Sequence, residues 1–247
     1  VTVEQTVVKL SKTKAVVVKG KTIQLKATVT PKQSIKWSSE NKKIATVNKN
    51  GKVTGKKGGT TKIIATAKDG TKATCKVTVA TVKLNASSMP LQVGTSTKAL
   101  KVASKTVKKD KVKAWKSSDS SIASVSKSGK VTAKKTGKAT LTVTMKSGAK
   151  ATCKVTVQNE KVTTKKLTLS KKKATLTVKQ SVKLGVKRNP ISAKEKITWS
   201  SSNKKVATVS KSGKVTAKRA GKATITAKTS NGKKATCKIT VKKATKK

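Results

Sequence analysis

The sequence lacks histidine, phenylalanine and tyrosine, and its 247 residues include only seven carboxylates, three tryptophans and three cysteines. Without histidine, neither a His-based triad nor a His-ligated metal site can form. The carboxylates are scattered, which disfavours an acid–base pair and a calcium site, since both need clustered acids. They are Glu4, Glu40, Asp69, Asp110, Asp119, Glu160 and Glu195. We therefore expect a noncatalytic protein with no cofactor and no metal.

Basic residues are the opposite extreme. The chain has 62 Lys and Arg residues and a formal net charge of +55, and only Arg188 and Arg219 are arginines. Such a charge attracts polyanions. Lysine acts as a point charge and supports salt-sensitive, nonspecific attachment, whereas base reading and bidentate phosphate recognition favour arginine. The expected partners are cell-wall polymers and acidic glycans, with nucleic acid bound only nonspecifically.

A regular repeat argues against the disorder that a low content of large apolar residues and a high net charge otherwise favour. Three tryptophans and three cysteines recur at intervals of 78 and 84 residues, and each tryptophan lies 38 residues before its cysteine. They are Trp37, Trp115 and Trp199, and Cys75, Cys153 and Cys237. The six extra residues of the third copy lie before Trp199 and lengthen a loop. The predicted domains are 1–79, 80–157 and 158–247, the last with a short basic tail over 242–247.

Within each copy the apolar residues alternate with polar ones, which predicts half-buried strands. In Thr22–Val29, for example, Ile23, Leu25, Ala27 and Val29 share one face. In the last strand of the first copy, Ala73, Cys75, Val77 and Val79 face inward, and Thr74, Lys76 and Thr78 face outward. Dipeptides ending in glycine separate these runs and are typical of tight hairpins. One set comprises Asn50-Gly51, Ser128-Gly129 and Ser212-Gly213, and the other Asp69-Gly70, Ser147-Gly148 and Asn231-Gly232. About seven short strands per copy predict three tandem all-β sandwiches.

The repeated motif resembles a known family. The run Trp199-Ser-Ser-Ser-Asn-Lys-Lys-Val-Ala-Thr-Val209, followed by Gly-Lys-Val-Thr-Ala and a closing Ala-Thr-Cys-Lys-Ile-Thr-Val, is similar to the bacterial immunoglobulin-like group 2 domain. Residues 199–241 match best, 37–79 nearly as well, and 115–157 diverge most. The resemblance implies three tandem immunoglobulin-like sandwiches in an elongated array on an extracellular bacterial protein, as in intimin- and invasin-type surface repeats. The lysine excess departs from the usual composition of the family and argues against a purely inert spacer.

The tryptophans and cysteines are interpreted as core residues. Each copy has a single aromatic residue, whereas a stacking platform for sugars or bases needs several exposed ones. One cysteine per copy cannot form a disulfide within its own domain, and it falls at an inward strand position. We therefore expect small buried hydrophobes that react slowly, rather than an interdomain bridge or a reactive thiol.

Basic residues recur around one hairpin strand of every copy. They are Lys52, Lys56 and Lys57, then Lys130, Lys134 and Lys135, then Lys214, Lys218 and Arg219. We call these nine residues the hairpin stripe. They form either a selected polyanion-binding site along the array or part of a diffusely charged surface, and the sequence leaves both open.

Three hypotheses on function follow. The first is a noncatalytic extracellular structural and adhesion module, a semi-rigid stalk or fibre segment whose repeats contact neighbouring repeats. The second is a polyanion-binding protein that attaches by charge, and the third is a set of accessory repeats of a secreted enzyme. No apolar run of 18 or more residues predicts a transmembrane segment. We expect the bacterial surface or a secreted location, and an excerpt of a longer surface protein.

Overall fold

A computed structural model describes residues 5–243. These residues form 27 strands and no helix, grouped into three repeated units of nine strands each. This confirms the predicted all-β tandem architecture, with two strands more per unit than expected. Residues 244–247 of the predicted basic tail lie outside the described residues, and Lys242 belongs to the last strand.

The strands of the three repeats follow one another in the same order. The first repeat has β1 (Val7–Leu10), β2 (Lys14–Val18), β3 (Thr22–Gln24), β4 (Ala27–Thr30), β5 (Ile35–Ser39), β6 (Ala45–Val47), β7 (Lys52–Gly55), β8 (Gly59–Ala67) and β9 (Lys72–Ala80). The second has β10 (Val82–Leu84), β11 (Ser88–Gln92), β12 (Ser96–Thr97), β13 (Val102–Lys105), β14 (Val112–Ser117), β15 (Ala123–Val125), β16 (Val131–Ala133), β17 (Gly137–Met145) and β18 (Lys150–Gln158). The third has β19 (Lys166–Leu169), β20 (Lys173–Thr177), β21 (Ser181–Lys183), β22 (Val186–Asn189), β23 (Ile197–Ser201), β24 (Ala207–Val209), β25 (Lys214–Ala217), β26 (Gly221–Thr229) and β27 (Lys234–Lys242).

Each repeat contains a four-stranded, a three-stranded and a two-stranded sheet. In the first repeat their orders are β2-β9-β8-β5, β3-β7-β6 and β1-β4. The second and third repeats have the equivalent sheets. Neighbouring strands are antiparallel except that β2 runs parallel to β9, as β11 does to β18 and β20 to β27. The parallel pair joins the second strand of a repeat to its last strand, so the beginning and the end of each repeat lie side by side in one sheet.

The sequence predicts one continuous strand over Thr22–Val29, and this is wrong in one respect. The chain breaks at Leu25: β3 pairs with β7, whereas β4 pairs with β1 in another sheet. Leu25 is fully buried at the break, and its amide donates to the Gly51 carbonyl oxygen at 3.0 Å. The alternation survives the break, since Ile23, Ala27 and Val29 are half-buried and the polar residues between them are exposed. A change of sheet therefore leaves no trace in the periodicity.

The core of each repeat lies between its sheets. In the first repeat the inward side chains of β7, β8 and β9 are fully buried, among them Val53, Ile63 and Val77. The glycines of the predicted hairpin turns have left-handed backbone angles, with φ of 77° at Gly51 and 91° at Gly70. The strands that carry the surface lysines are thus packed on their inner faces, and their outer faces, which bear the lysines, are open to solvent.

The first and second repeats pack directly against each other. Only Thr81 separates β9 from β10, and its neighbours Ala80 and Val82 are buried. The Thr81 amide donates to Thr106 Oγ1 at 2.8 Å, and that hydroxyl donates to the Val79 carbonyl oxygen at 2.8 Å. An apolar cluster of Ala80, Val82, Val143, Met145 and Ala149, with Val18 against it, continues across the junction.

The second and third repeats meet in a different way. Seven residues, 159–165, connect β18 to β19. The longer loop before β23 reaches back: Ser192 Oγ donates to the Pro90 carbonyl oxygen at 2.5 Å, and Lys194 Nζ to that of Ser96 at 2.7 Å. Ile191 packs against the core of the second repeat. The lengthened loop thus contacts the preceding repeat.

Candidate polyanion-binding surfaces

The hairpin stripe is exposed in every repeat. In the first, β7 lies between β3 and β6, and Val53 points into the core while Lys52 points to solvent. The other two repeats follow the same pattern. All nine stripe residues are exposed.

Each repeat divides its stripe residues into two groups. Lys52 follows the Gly51 turn, and Lys56 lies four residues further on, about 13 Å away along an extended chain. The amides of Lys56 and Lys57 both donate to the Ile44 carbonyl oxygen, at 2.8 and 3.1 Å. The equivalent pairs in the other repeats donate to Ile122 and Val206 in the same way. The backbone therefore fixes where each pair of basic side chains begins.

A second set of lysines, missed by the sequence analysis, lies on the outer face of the four-stranded sheets. Lys76 of β9 lies directly opposite both Lys14 of β2 and Lys62 of β8. In the third repeat, Lys173 and Lys238 are opposed in the same way. Opposed residues have Cβ atoms about 4.5–5.5 Å apart, so these charges repel at close range. The alternation already placed Lys76 outward. Lys14 becomes its neighbour through the parallel pairing, which the sequence did not reveal, and Lys62 through the antiparallel pairing of β8 with β9.

Shallow grooves run over these outer faces. One of about 480 Å³ is lined in the first repeat by Lys12, Lys14, Ala15, Val16, Ile23, Lys76 and Thr78. Another of about 510 Å³ lies on the third repeat, where Lys173, Lys222 and Lys238 alternate with threonines. Both grooves present ammonium and hydroxyl groups, which suit oxyanions.

The few carboxylates bind loops rather than neutralise lysines. Within residues 5–243 the one salt bridge joins Lys62 Nζ to Glu40 Oε1 at 3.3 Å, and both side chains are well exposed. Asp119 accepts hydrogen bonds from the Ser121 hydroxyl and amide at 2.6 and 2.9 Å, and these lower the pKa of its carboxyl. The surface charge is thus left almost uncompensated.

Glu195 ties the third repeat to the linker before it. Its two oxygens accept hydrogen bonds from the Thr164 amide and hydroxyl, each at 2.5 Å. Burial raises the pKa of Glu195, but the hydrogen bonds from Thr164 and the charge of Arg188 outweigh it, so the pKa lies below its usual value. Asn231 Nδ2 holds the same linker through the Thr164 carbonyl oxygen at 2.8 Å.

The special side chains lie inside the repeats. Cys75, Cys153 and Cys237 are fully buried free thiols. Burial raises the pKa of all three thiols, to about 11 for Cys153. The tryptophans are half-buried and pack against the cores of their own repeats. Among the described residues, no group of three or more Cys, Asp or Glu side chains could hold a metal ion.

Comparison with known proteins gives partial matches. A stretch of 61 residues is 48% identical to lacto-N-biosidase of Bifidobacterium bifidum, which is 25% of this chain and 6% of that enzyme. Drosophila N-cadherin EC1-3 aligns over 94% of this chain and 98% of its own, at 12% identity and a TM-score of 0.38. An intimin mutant of EHEC O157:H7 aligns over 33% of this chain and 51% of its own, at 22% identity and a TM-score of 0.27.

A family match covers nearly the whole chain. The bacterial Ig-like domain (group 2) matches three times in tandem, at residues 4–77, 78–155 and 162–239. In the part of the chain that the structure describes, no helix is long and apolar enough to cross a membrane. The chain therefore belongs to the bacterial Ig-like domain (group 2) family, as three tandem copies of a generally non-catalytic domain of the extracellular, surface and adhesion type.

Proposed function

We propose that this chain is a noncatalytic, semi-rigid stalk segment of an extracellular bacterial surface protein. The junction between the first two repeats carries this proposal. A single residue, Thr81, links them, and Ala80 and Val82 on either side are buried in the shared apolar cluster. Swinging one repeat away from the other would expose this cluster and break the hydrogen bonds of Thr106. The junction therefore resists bending.

The second junction supports the same function by other means. Its linker is longer, but Thr164 is 1% exposed and is held by Glu195 and Asn231. The contacts from Ser192 and Lys194 to the second repeat add a further tie. Contacts at both junctions thus limit how far one repeat can rotate relative to the next, as a stalk requires.

Small-angle scattering tests this proposal. We expect a rod-like distance distribution for the chain, and freely jointed beads would contradict a semi-rigid stalk. Gly58→Ala is the informative variant, because a Cβ atom there would lie 2.6 Å from Thr81 Oγ1 and 2.9 Å from Thr106 Cγ2. It should alter the distance distribution. Gly185→Ala is the matched control, since its Cβ would meet nothing closer than 3.5 Å.

The charge supports a second function, attachment to polyanions such as cell-wall polymers or acidic glycans. The exposed hairpin stripe and the opposed lysines of the outer sheet faces support it, since a concentrated positive field raises the local concentration of polyanions. A salt titration against teichoic acid, a sulfated glycan, capsular polysaccharide and duplex DNA tests it. Simultaneous release of all four indicates bulk charge, whereas one ligand that persists near physiological salt indicates a receptor site.

Replacing the stripe residues with glutamine separates a selected stripe from diffuse charge. Loss of binding with the fold intact supports the stripe, and a small graded loss supports bulk charge.

A third role, as accessory repeats of a secreted enzyme, is supported by the 61-residue match to lacto-N-biosidase. It would place the chemistry outside these residues, and it predicts that the three repeats alone hydrolyse no glycan.

A further inference from the structure

A cleft at the junction of the first two repeats gathers lysines from both. It has a volume of about 670 Å³ and contains five lysines. They are Lys19 and Lys57 of the first repeat, Lys83 just after the linker, and Lys105 and Lys150 of the second. All five are exposed. These positions are far apart in the sequence, and only the packing of the two repeats brings them to one place.

We propose that this cleft is a binding site for a segment of a glycan or polyol chain that carries phosphate or sulfate groups. The proposal rests on polyanion attachment as a function of the chain and assigns it to one place. Ammonium groups converging on a concave surface focus the field more strongly than the same groups on a convex one. Ser104 and Thr81 of the cleft wall add hydroxyl groups between the ammonium groups, whereas the hydroxyl of Thr106 is already donated to the Val79 carbonyl oxygen.

No carboxylate opposes these lysines in the cleft, whose lining residues include no Asp or Glu. The nearest acid along the chain, Asp110, is 7% exposed, and its two oxygens accept hydrogen bonds from the Ser147 amide and hydroxyl at 3.1 and 2.6 Å. Lys105 Nζ donates to the Asp110 carbonyl oxygen within its own loop. Asp110 thus lies outside the lining of the cleft, and its carboxylate is engaged by Ser147 rather than by a lysine of the cleft.

The lining favours an anionic glycan or polyol phosphate over a nucleic acid. Proteins that bind single strands stack bases on aromatic side chains, and the cleft has none. Its charges are lysines, which bind oxyanions as point charges rather than by the bidentate geometry of arginine. A repeating phosphate or sulfate ester with hydroxyl-bearing units matches both the ammonium and the hydroxyl groups.

The other junction does not offer the same site. Its cavity is smaller, about 290 Å³, and Glu195 lies among its lysines. Lys194 Nζ there donates to the Ser96 carbonyl oxygen. The two junctions differ in the length of the linker, which is one residue at the first and seven at the second. They also differ at the residue that precedes the long hairpin. Gly58 allows the close approach at the first junction, whereas the second repeat has Thr136 at this position.

Two variants with the same loss of charge test the cleft. The cleft variant replaces Lys19, Lys57, Lys83 and Lys150 with glutamine. The control variant also replaces four exposed lysines with glutamine, and these lie in turns, away from the cleft, the second cavity and the two grooves. They are Lys127, Lys204, Lys205 and Lys211. The probes are polyphosphate, dextran sulfate, polyglutamate and duplex DNA, titrated by calorimetry at several salt concentrations up to about 0.15 M. Circular dichroism checks that both variants fold.

We expect the wild-type chain to retain polyphosphate or dextran sulfate near 0.15 M salt, and these two probes distinguish phosphate from sulfate. The cleft variant should bind the retained probe at least about tenfold more weakly than the control variant, since it loses several phosphate-type contacts. Equal losses would overturn the cleft and leave attachment by bulk charge in place. Release of every probe below this salt would overturn the cleft and leave attachment by bulk charge in place, whereas no binding by the wild type even at the lowest salt would overturn both proposals. Retention of DNA or polyglutamate alone would overturn the ligand class.

A second measurement needs no variant. A ligand that bridges both repeats should slow hydrogen exchange of the amides at Thr81 and Thr106, which hold the junction together. Protection confined to 81–83 and 104–106 is the expected result for the retained probe. Uniform protection over all three repeats would instead indicate binding to the general surface, and it would overturn the cleft.

Discussion

At the scale of single residues, the glycine of the first hairpin turn has two separate reasons to be glycine. Gly51 has a φ of 77°, and a Cβ atom there would lie 2.8 Å from Trp37 Cζ2 and also against the Leu25 carbonyl oxygen. Gly70 has a similar φ of 91°, but a Cβ atom there would meet nothing within 4 Å. A comparison of substitutions at Gly51 and Gly70 therefore separates the cost of backbone strain from the cost of steric crowding.

We predict that Gly51→Ala destabilises the first repeat more than Gly70→Ala does. Both variants should lose about 1–2 kcal/mol because an L-residue is forced into a left-handed conformation. Gly51→Ala should lose about 1–3 kcal/mol more because it overpacks the tryptophan. Hydrogen exchange of peptides from the first repeat, followed by mass spectrometry, measures both. Equal losses would mean that both Trp37 and the Leu25 carbonyl group move aside without cost.

The buried thiols should react slowly in the folded chain. Burial raises the pKa of Cys153 from 9.0 to about 11, so its thiolate fraction at pH 8 falls about 100-fold, and the thiolate is the reactive form. We predict that alkylation of the native chain at pH 8 is at least about 100-fold slower at Cys153 than in the chain unfolded in denaturant. Cys75 and Cys237 should also be slow, since burial raises their pKa values too. Fast native labelling at any of the three would contradict their burial.

At the scale of strands, directly opposed lysines should cost stability, although Lys62 also pairs with Glu40. Lys76 lies between Lys14 and Lys62, whereas its equivalent in the second repeat, Lys154, lies between Ser88 and Thr140. Like charges directly opposite are destabilising, by an amount within the ~0.2–1 kcal/mol typical of cross-strand pairs. We predict that Lys76→Thr stabilises the first repeat by about this much at low salt.

Lys154→Thr is the matched control, because it removes one lysine from the same position of a sheet without relieving a cross-strand repulsion. It should change the free energy of unfolding of the second repeat little. Hydrogen exchange in 10 mM and 500 mM salt distinguishes the two variants, since screening should abolish the gain from Lys76→Thr. An equal gain from both variants would indicate relief of net charge rather than of the pair.

The attachment of the linker between the second and third repeats to Glu195 should become weaker at acidic pH. Hydrogen bonds from Thr164 hold the pKa of Glu195 below its ordinary value of 4.5, so the folded state binds its proton less readily than the unfolded state. The stability that this carboxylate contributes is therefore present above pH 4.5 and is lost as the pH falls through its folded pKa. We predict that Glu195→Gln, which does not titrate, lowers the melting temperature of the third repeat at pH 6 and that its gap to the wild type narrows by pH 3. A gap that stays constant would show that the carboxylate charge plays no part.

Strand order shows what the sequence could and could not predict. Alternation placed Cys75, Val77 and Val79 inward, and they are buried, because a period of two records which face of a strand meets the core. It could not reveal the break at Leu25 or the parallel partner of β9, since both depend on contacts between residues far apart in sequence. For the candidate site, the exposure of the hairpin stripe followed from the sequence. The junction cleft did not, because it depends on how two repeats pack, which brings together lysines that are far apart in the sequence.

At the scale of the whole molecule, net charge opposes folding. A formal charge of +55 with one salt bridge among residues 5–243 leaves the lysines to repel one another through solvent. Such repulsion reaches about 30 Å at 0.01 M salt and about 10 Å at 0.1 M, so added salt removes its long-range part first. We predict that the melting temperature of the chain rises steeply with sodium chloride between 0.01 and 0.1 M and flattens above.

The rise should amount to several degrees, since about 1 kcal/mol shifts the melting temperature of a domain this small by roughly 4–8 °C. Scanning calorimetry measures it, and the variant that replaces Lys127, Lys204, Lys205 and Lys211 with glutamine should show a shallower slope because fewer charges need screening. Sucrose, which stabilises without screening, is the solvent control. A melting temperature that does not change over this range would mean that the lysines repel one another as strongly in the unfolded chain as in the folded one. The folded surface would then concentrate positive charge no more than the unfolded chain does, and attraction for a polyanion would not depend on the fold, because repulsion and attraction arise from one field.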